Sequence, residues 1–262
     1  MIDNEASSKY RAPALDKGLD ILELLAHSEE GLLQSEIAEQ LGRKTSEIFR
    51  MLVVLRERGY VVQSSTTDRY ELSLKLFELA HYYPPIKQIL DVALPKMREI
   101  SSQLLQACHL TAFHENDLLV IGHTESPAGM GFTNRTGTVM DLLATTSGPA
   151  ILAFREQKEV ERRINWYSQH NTVSTNDIKQ FYKRIEFARE NGYISFNSLQ
   201  IQGIITISCP IRDFSGQGVA ALTIPYLVRI DNRPQPTIQE SIEVTQNMAL
   251  SISNDLGFRS ER

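Results

Sequence analysis

Cysteine is scarce in this sequence: only Cys108 and Cys209 occur, far apart along the chain. That excludes a disulfide framework and agrees with a reducing, cytoplasmic setting. No stretch reaches the ~20 consecutive apolar residues that cross a bilayer, so no membrane partner is expected. Residues 1–8 are polar and acidic, unlike a secretion signal. Catalytic signatures are missing too. There is no G-x-S-x-G elbow, no P-loop and no dinucleotide glycine fingerprint, and Gly129-Met130-Gly131 reads only as a flexible turn. The expectation is therefore a non-enzyme without a cofactor. A metal site is not expected either. Cys108, His109, His114 and His123 lie close in sequence, but neighbouring Cys108 and His109 point to opposite faces of a strand. No C-x-x-C or H-x-x-x-H spacing joins them.

An excess of positive charge is also lacking. Lys and Arg number 27 against 32 Asp and Glu, leaving a net of −5, which by itself argues against a nucleic-acid partner. The distribution reverses that argument. Between Arg43 and Lys75 the basic residues are Arg43, Lys44, Arg50, Arg56, Arg58, Arg69 and Lys75, against Glu47, Glu57, Asp68 and Glu71. A basic segment on an acidic chain suits a DNA-binding module joined to a separate sensor.

What is present is an ordinary globular composition, 42% hydrophobic and 23% charged, over 262 residues, enough for two domains. Residues 1 to about 12 lack periodicity and read as a mobile arm. Helical spacing then begins with Leu15, Leu19, Ile21, Leu22 and Leu25. A short helix over 34–41 follows and is closed by Gly42. Thr45 or Ser46 is placed to cap a third helix, whose inner face is Ile48, Met51, Leu52 and Leu55 and which Gly59 stops. The period then changes to strand, turn and strand over 60–72. Three short helices and a hairpin make a winged helix-turn-helix, with the third helix as the rod for the major groove.

A short helix over 73–80 ends toward Pro84-Pro85, which mark the boundary candidate. The spacing predicts a further helix over 86–105, kinked or restarted at Pro95. Beyond it, paired strands at 108–114 and 118–123, helices at 147–154 and 177–189, a second hairpin at 204–211 and 219–225, and a final helix at 238–256 predict an α+β domain. That domain is an antiparallel sheet flanked by helices. The domain reading is 9–75 for the winged helix-turn-helix, 76–87 for a linker and 88–258 for the second domain.

The stretch from Gln34 to Leu79 carries Glu36-Ile37-Ala38, Thr45-Ser46, Arg50-Met51-Leu52, Gly59-Tyr60-Val61 and Asp68-Arg69-Tyr70-Glu71-Leu72. In this it resembles the isocitrate lyase regulator (IclR) family of bacterial transcription factors. The likeness runs on through Glu125-Ser126, Gly137, Ala144-Thr145-Thr146-Ser147-Gly148, Gly192-Tyr193, Gly203 and Cys209-Pro210-Ile211. Each landmark is weak alone, and their shared order and spacing are strong.

The resemblance implies a GAF-like second domain that binds a small organic effector, and a homodimer or homotetramer acting on a palindromic operator in double-stranded DNA. It implies regulation of a catabolic operon. Arg43, Lys44, Thr45 and Ser46 would meet phosphates at the start of the third helix, Glu47, Phe49 and Arg50 would face the groove, and Arg69 would serve from the wing. Ligand-facing positions carry over to Thr146, Ser147, Phe196, Thr206, Thr223 and Pro225, with Met130, Phe132, Met140 and Thr145 beside them. Many relatives carry an Asp where Phe196 stands and paired Glu at Ser198-Leu199. The loss of those acids favours an anionic or neutral ligand: a small carboxylate, a sugar-derived acid or an aromatic acid. Two alternatives stand beside this reading: hydroxyls that merely satisfy neighbouring backbone groups, and an architectural DNA-binding module with a vestigial pocket.

Overall fold

The computed structural model describes residues 12–82, 84–127, 129, 131–230 and 234–259. The arm expected over residues 1–12 lies outside the described residues except for Ala12, as do residues 9–11 of the first domain and Met130. The chain divides into two units between Pro84 and Pro85.

The first unit holds α1 (Pro13–Ala26), α2 (Gln34–Gln40), α3 (Thr45–Glu57), the strands β1 (Val61–Gln63) and β2 (Tyr70–Leu72), and α4 (Lys75–Tyr82). Its core is Ile21 and Leu25 of α1, Ile37 and Ala38 of α2, Ile48 and Leu52 of α3, and Val61 and Tyr70 of the hairpin. Most are apolar positions that the helical spacing selects, and their burial supplies the hydrophobic drive for so small a unit, but Leu15 and Leu19 of the same pattern are exposed. Leu32 adds a bridge to the hairpin by exchanging backbone bonds with Tyr70 at 3.0 and 2.7 Å. Gly31 makes that approach possible. Its φ is +68°, and a Cβ there would stand 2.8 Å from the Tyr70 carbonyl oxygen.

The second unit is built on a six-stranded antiparallel sheet in the order β5-β4-β3-β8-β7-β6. Its strands are β3 (Cys108–His114), β4 (Asp117–Thr124), β5 (Val139–Met140), β6 (Ile194–Asn197), β7 (Ile204–Arg212) and β8 (Gly218–Leu227). The helices α5 (Pro84–Leu104) and α9 (Ile238–Asp255) cover one face. On the other lie α6 (Ser147–Leu152), α7 (Gln157–His170) and α8 (Thr175–Asn191). Strand alternation assigns the side chains. Cys108, Leu110 and Ala112 of β3, Ile207, Cys209 and Ile211 of β7, and Leu222 and Ile224 of β8 pack against α5 and α9. The residues between them, among them His109, Thr206, Ser208 and Thr223, face the other side.

Three expectations need correction. The residue before α3 is Lys44, with no side-chain capping bond, because the helix already includes Thr45 and Ser46. Pro95 neither ends nor restarts its helix: α5 runs unbroken, giving up only the bond that a residue-95 amide would send to Asp91. The division of the chain does fall at the expected Pro84-Pro85 step, and only the helix start moves: both prolines occupy the first turn of α5, two residues ahead of 86, where an absent amide hydrogen costs little. Three elements were not anticipated. Charged α7 hides a stripe of Val160, Ile164 and Tyr167, β6 is only four residues long and β5 only two.

Candidate nucleic-acid interface and interior cavity

Helices α2 and α3 are joined by a turn in which the Arg43 amide donates to the Ala38 carbonyl at 2.9 Å and Gly42 takes φ +60°. The Gln34 side chain ties the two helices by donating to the Thr45 carbonyl at 3.1 Å. With Ile48 and Leu52 pinned in the core, the helical period turns Arg43, Lys44, Thr45, Ser46, Phe49 and Arg50 to solvent. Phe49 is 50% exposed, a costly place for a phenyl ring in water. Arg43 has only a loose, 3.8 Å pairing with Asp20, and neither Lys44 nor Arg50 makes an ion pair among the described residues.

Two of the anticipated contacts are engaged within the unit. Glu47 is half-buried and accepts from Lys17 at 2.9 Å, and this bond holds its carboxyl below the usual range. Arg69 lies at the base of the wing, donating to the Gly31 carbonyl at 2.9 Å and to Glu36 at 2.9 and 3.4 Å. The wing tip is Ser65, Thr66, Thr67 and Asp68, all exposed, with Asp68 at φ +56°. Arg56 joins helix to wing through Gln63 at 2.9 Å.

In the second unit, α6 and the facing strands enclose a small cavity of about 60 Å³. Phe132, Thr145, Thr146, Ser147, Thr206 and Thr223 all line it, as do Met140 and Pro225. Phe196 does not. Its ring packs toward α8, with the Arg184 guanidinium 4.4 Å above it, and its backbone carbonyl accepts from the Thr206 hydroxyl at 3.2 Å. His109, Asn134, Ala144, Ser198, Gln200, Ile201 and Ile204 complete the wall. The expected list omitted these. The strand alternation that set His109 opposite Cys108 pointed to it, whereas the loop residues carry no local pattern.

Position is imposed on the lining by the turn before α6. Asp141 accepts from the Leu143 and Ala144 amides at 2.8 and 2.7 Å and from the Tyr167 hydroxyl, while Thr145 donates to the Asp141 carbonyl at 3.0 Å. Gly148 lets α6 press on that turn, since a Cβ there would lie 2.7 Å from the Leu142 carbonyl oxygen. Behind the cavity runs a buried line of hydroxyls. Thr146 meets Ser208 at 2.6 Å, Ser208 meets Thr223 at 2.6 Å, and Thr223 meets Ser147 at 3.0 Å. These groups satisfy one another and not the backbone. Four hydroxyl hydrogens serve three contacts, so one O–H donor remains for something else. No Lys, Arg, Asp or Glu lines the cavity among the described residues.

A helix-turn-helix with a wing, followed in the chain by a domain whose sheet backs a polar cavity, is the organisation of a sensor-linked transcriptional regulator. The comparisons agree. Residues 14–65 match the family described as "IclR helix-turn-helix domain", and residues 85–254 match "Bacterial transcriptional regulator IclR C-terminal". The chain belongs to the IclR family of bacterial transcriptional regulators. Among curated relatives it is 27% identical to the HTH-type transcriptional regulator KdgR of Dickeya chrysanthemi, covering 92% of this chain and 79% of that protein. It is 26% identical to KdgR of Escherichia coli, covering 92% of each. Among solved structures, the Thermotoga maritima IclR aligns at TM-score 0.72 and 26% identity over 94% of this chain and 99% of that one. An IclR homolog from Microbacterium hydrocarbonoxydans, complexed with 4-hydroxybenzoate, shares the fold at TM-score 0.76 and 19% identity, over 93% and 98% of the two chains.

Proposed function

We propose that this protein regulates a catabolic operon by binding a palindromic operator through α3, under the control of a small organic acid held in the interior cavity. The observation that carries the DNA half is the outward face of α3, where Arg43, Lys44 and Arg50 flank an exposed Phe49. Thr45, Ser46 and the two leading cations serve the phosphates, Arg50 forks onto a base edge or a phosphate, and Phe49 meets thymine methyl groups. Glu47 and Arg69 act less directly, by holding α3 to α1 and the wing to α2. Double-stranded DNA is thus the macromolecular partner.

For the effector half, the support is a cavity whose wall offers hydroxyl, imidazole and amide groups but no carboxylate, which favours an anion over a cation. Its volume of about 60 Å³ falls well short of the ~150 Å³ that holds a benzene ring. Short-chain acids therefore fit this conformation better than the aromatic acid that the Microbacterium homolog's structure contains. Phe132, Thr145, Thr146, Ser147, Thr206 and Thr223 form the effector set among the described residues, and Phe196 acts only by holding the Thr206 hydroxyl through its backbone carbonyl. Oligomerisation is supported by apolar side chains exposed on the first unit, Leu15 and Leu19 on α1 and Leu74 and Tyr82 around α4, which a second copy would cover.

Fluorescence anisotropy with DNA flanking the gene, over a salt series, tests the proposal. The expected result is nanomolar, salt-sensitive binding with a clear preference over random DNA. Equal affinity for random DNA would defeat the operator reading for that site.

A further inference from the structure

Two histidines face each other across the first hairpin of the sheet, for His109 of β3 is the register partner of His123 of β4. Their circumstances differ. His123 is partly exposed, and its ring is engaged on both sides, Nδ1 with the Thr136 hydroxyl at 3.0 Å and Nε2 with Glu125 at 3.6 Å. His109 is 1% exposed, and only its Nδ1 is engaged, 3.3 Å from the Thr133 hydroxyl. Among the described residues nothing satisfies its Nε2. Polar atoms at such depth are ordinarily hydrogen-bonded, so one without a partner on a residue of a cavity wall calls for a group to complete it.

His109 belongs to the wall of the interior cavity. Its cross-strand partner on the other side is Thr223, the residue at which the buried hydroxyl line branches to Ser147 and Ser208. Burial, with the neighbouring His123 adding to it, lowers the His109 pKa to about 4, so the ring is neutral near pH 7 and carries a single N–H. When the Thr133 hydroxyl donates to Nδ1, that hydrogen sits on Nε2. Thr146, Ser147 and Thr223 of the hydroxyl line, which has one hydroxyl hydrogen unused, belong to the same wall. Two donors and no competing carboxylate describe a receptor for the paired oxygens of a carboxylate group.

We infer that His109 is a ligand-recognition residue of the cavity, its Nε2 donating to a carboxylate oxygen of a short-chain organic acid. The inference rests on the reading of the cavity as an effector site, and it adds a residue and a contact to that reading. A phenyl ring would fill the same space without leaving a nitrogen open.

The test uses the full chain labelled with ¹⁵N-histidine. Lactate, pyruvate and benzoate are titrated in while the imidazole nitrogens are followed by long-range ¹H–¹⁵N correlation, with His109 assigned from its absence in His109→Gln. Calorimetry gives the affinity of each acid for the wild type, His109→Phe and His109→Gln. The expected result is that a short acid binds and shifts His109 Nε2. His109→Phe then weakens that acid at least tenfold, and His109→Gln, which restores an N–H donor, recovers part of the loss. An acid that binds with Nε2 unmoved and with His109→Phe unaffected would overturn the role of His109 and leave the acid-effector reading standing. If no acid binds, both fall. Should His109→Phe not fold, the wild-type spectrum alone decides.

Discussion

The surface of α3 and the wall of the cavity are both polar, yet they are polar in opposite ways. On α3 the cations Lys44 and Arg50 stand in water without ion pairs among the described residues, next to an exposed phenyl ring. Around the cavity, hydroxyls that are 0–2% exposed are bonded to one another, and one imidazole nitrogen is left over. A site that meets a highly charged polymer can remain solvated, because counterion release supplies much of the affinity. A site that meets a small molecule must be dry and prearranged, because a few hydrogen bonds carry recognition. Substitutions on α3 should therefore change binding and leave stability alone, whereas substitutions near the cavity should change both.

Phe181→Ala should show the largest effect. Phe181 is 1% exposed in the core between α7, α8 and the sheet, and its removal is expected to cost about 3–5 kcal/mol of stability by denaturant unfolding. A loss under about 1 kcal/mol would mean that this face of the sheet is looser than described. Acidification comes next. An unfolded histidine titrates near 6.5 and buried His109 near 4, so the unfolded chain binds the proton first. The His109 contribution is fully present above about pH 6.5 and declines as pH falls toward 4, by on the order of 3 kcal/mol in total. Urea midpoints at pH 7.5 and 5 should differ less in His109→Gln than in the wild type.

On the outward face, Arg50→Ala is expected to weaken operator binding by about 1–3 kcal/mol, from roughly fivefold to roughly 150-fold, with no change in melting temperature. A drop in stability of similar size would assign Arg50 to structure and blur the contrast between the two sites. Arg69→Ala sharpens it from the other side. Because Arg69 bonds Gly31 and Glu36, its loss should lower stability by about 1 kcal/mol and leave the salt dependence of DNA binding unaltered. A salt slope shallower by about one would instead place the guanidinium on a phosphate.

Much of this was legible in the sequence, and what was not has physical reasons. Local periodicity found the helices of the first unit because Ile21, Ile37, Ile48 and Leu52 repeat at helical spacing and are buried as that spacing requires. Helix α8 was marked at its end by Gly192, which is in the left-handed conformation, while its start was placed at 177 and the Ser174–Asp177 capping box sets it at Thr175. Neither β6 nor α7 carried such punctuation. The cap of α3 was misplaced by a residue or two because Thr45 and Ser46 compete with Lys44 for the boundary, and nothing local decides it. In the cavity, Thr146, Ser147 and Thr223 were reachable through family likeness. Phe196 was not, since whether a ring enters a cavity or stacks beneath Arg184 depends on a helix packed from elsewhere in the chain. The internal roles of Arg69 and Glu47 depend likewise on partners 33 and 30 residues away in sequence.

The central claim is that one chain joins DNA binding to acid sensing, and its most direct test is operator affinity measured by anisotropy with and without saturating short-chain acid, in the wild type and in Thr223→Val. The account predicts that at least one acid shifts the wild-type affinity severalfold or more and that Thr223→Val, which breaks the hydroxyl line behind the cavity, blunts the shift. Unchanged operator affinity at saturating acid, with the acid demonstrably bound, would contradict it.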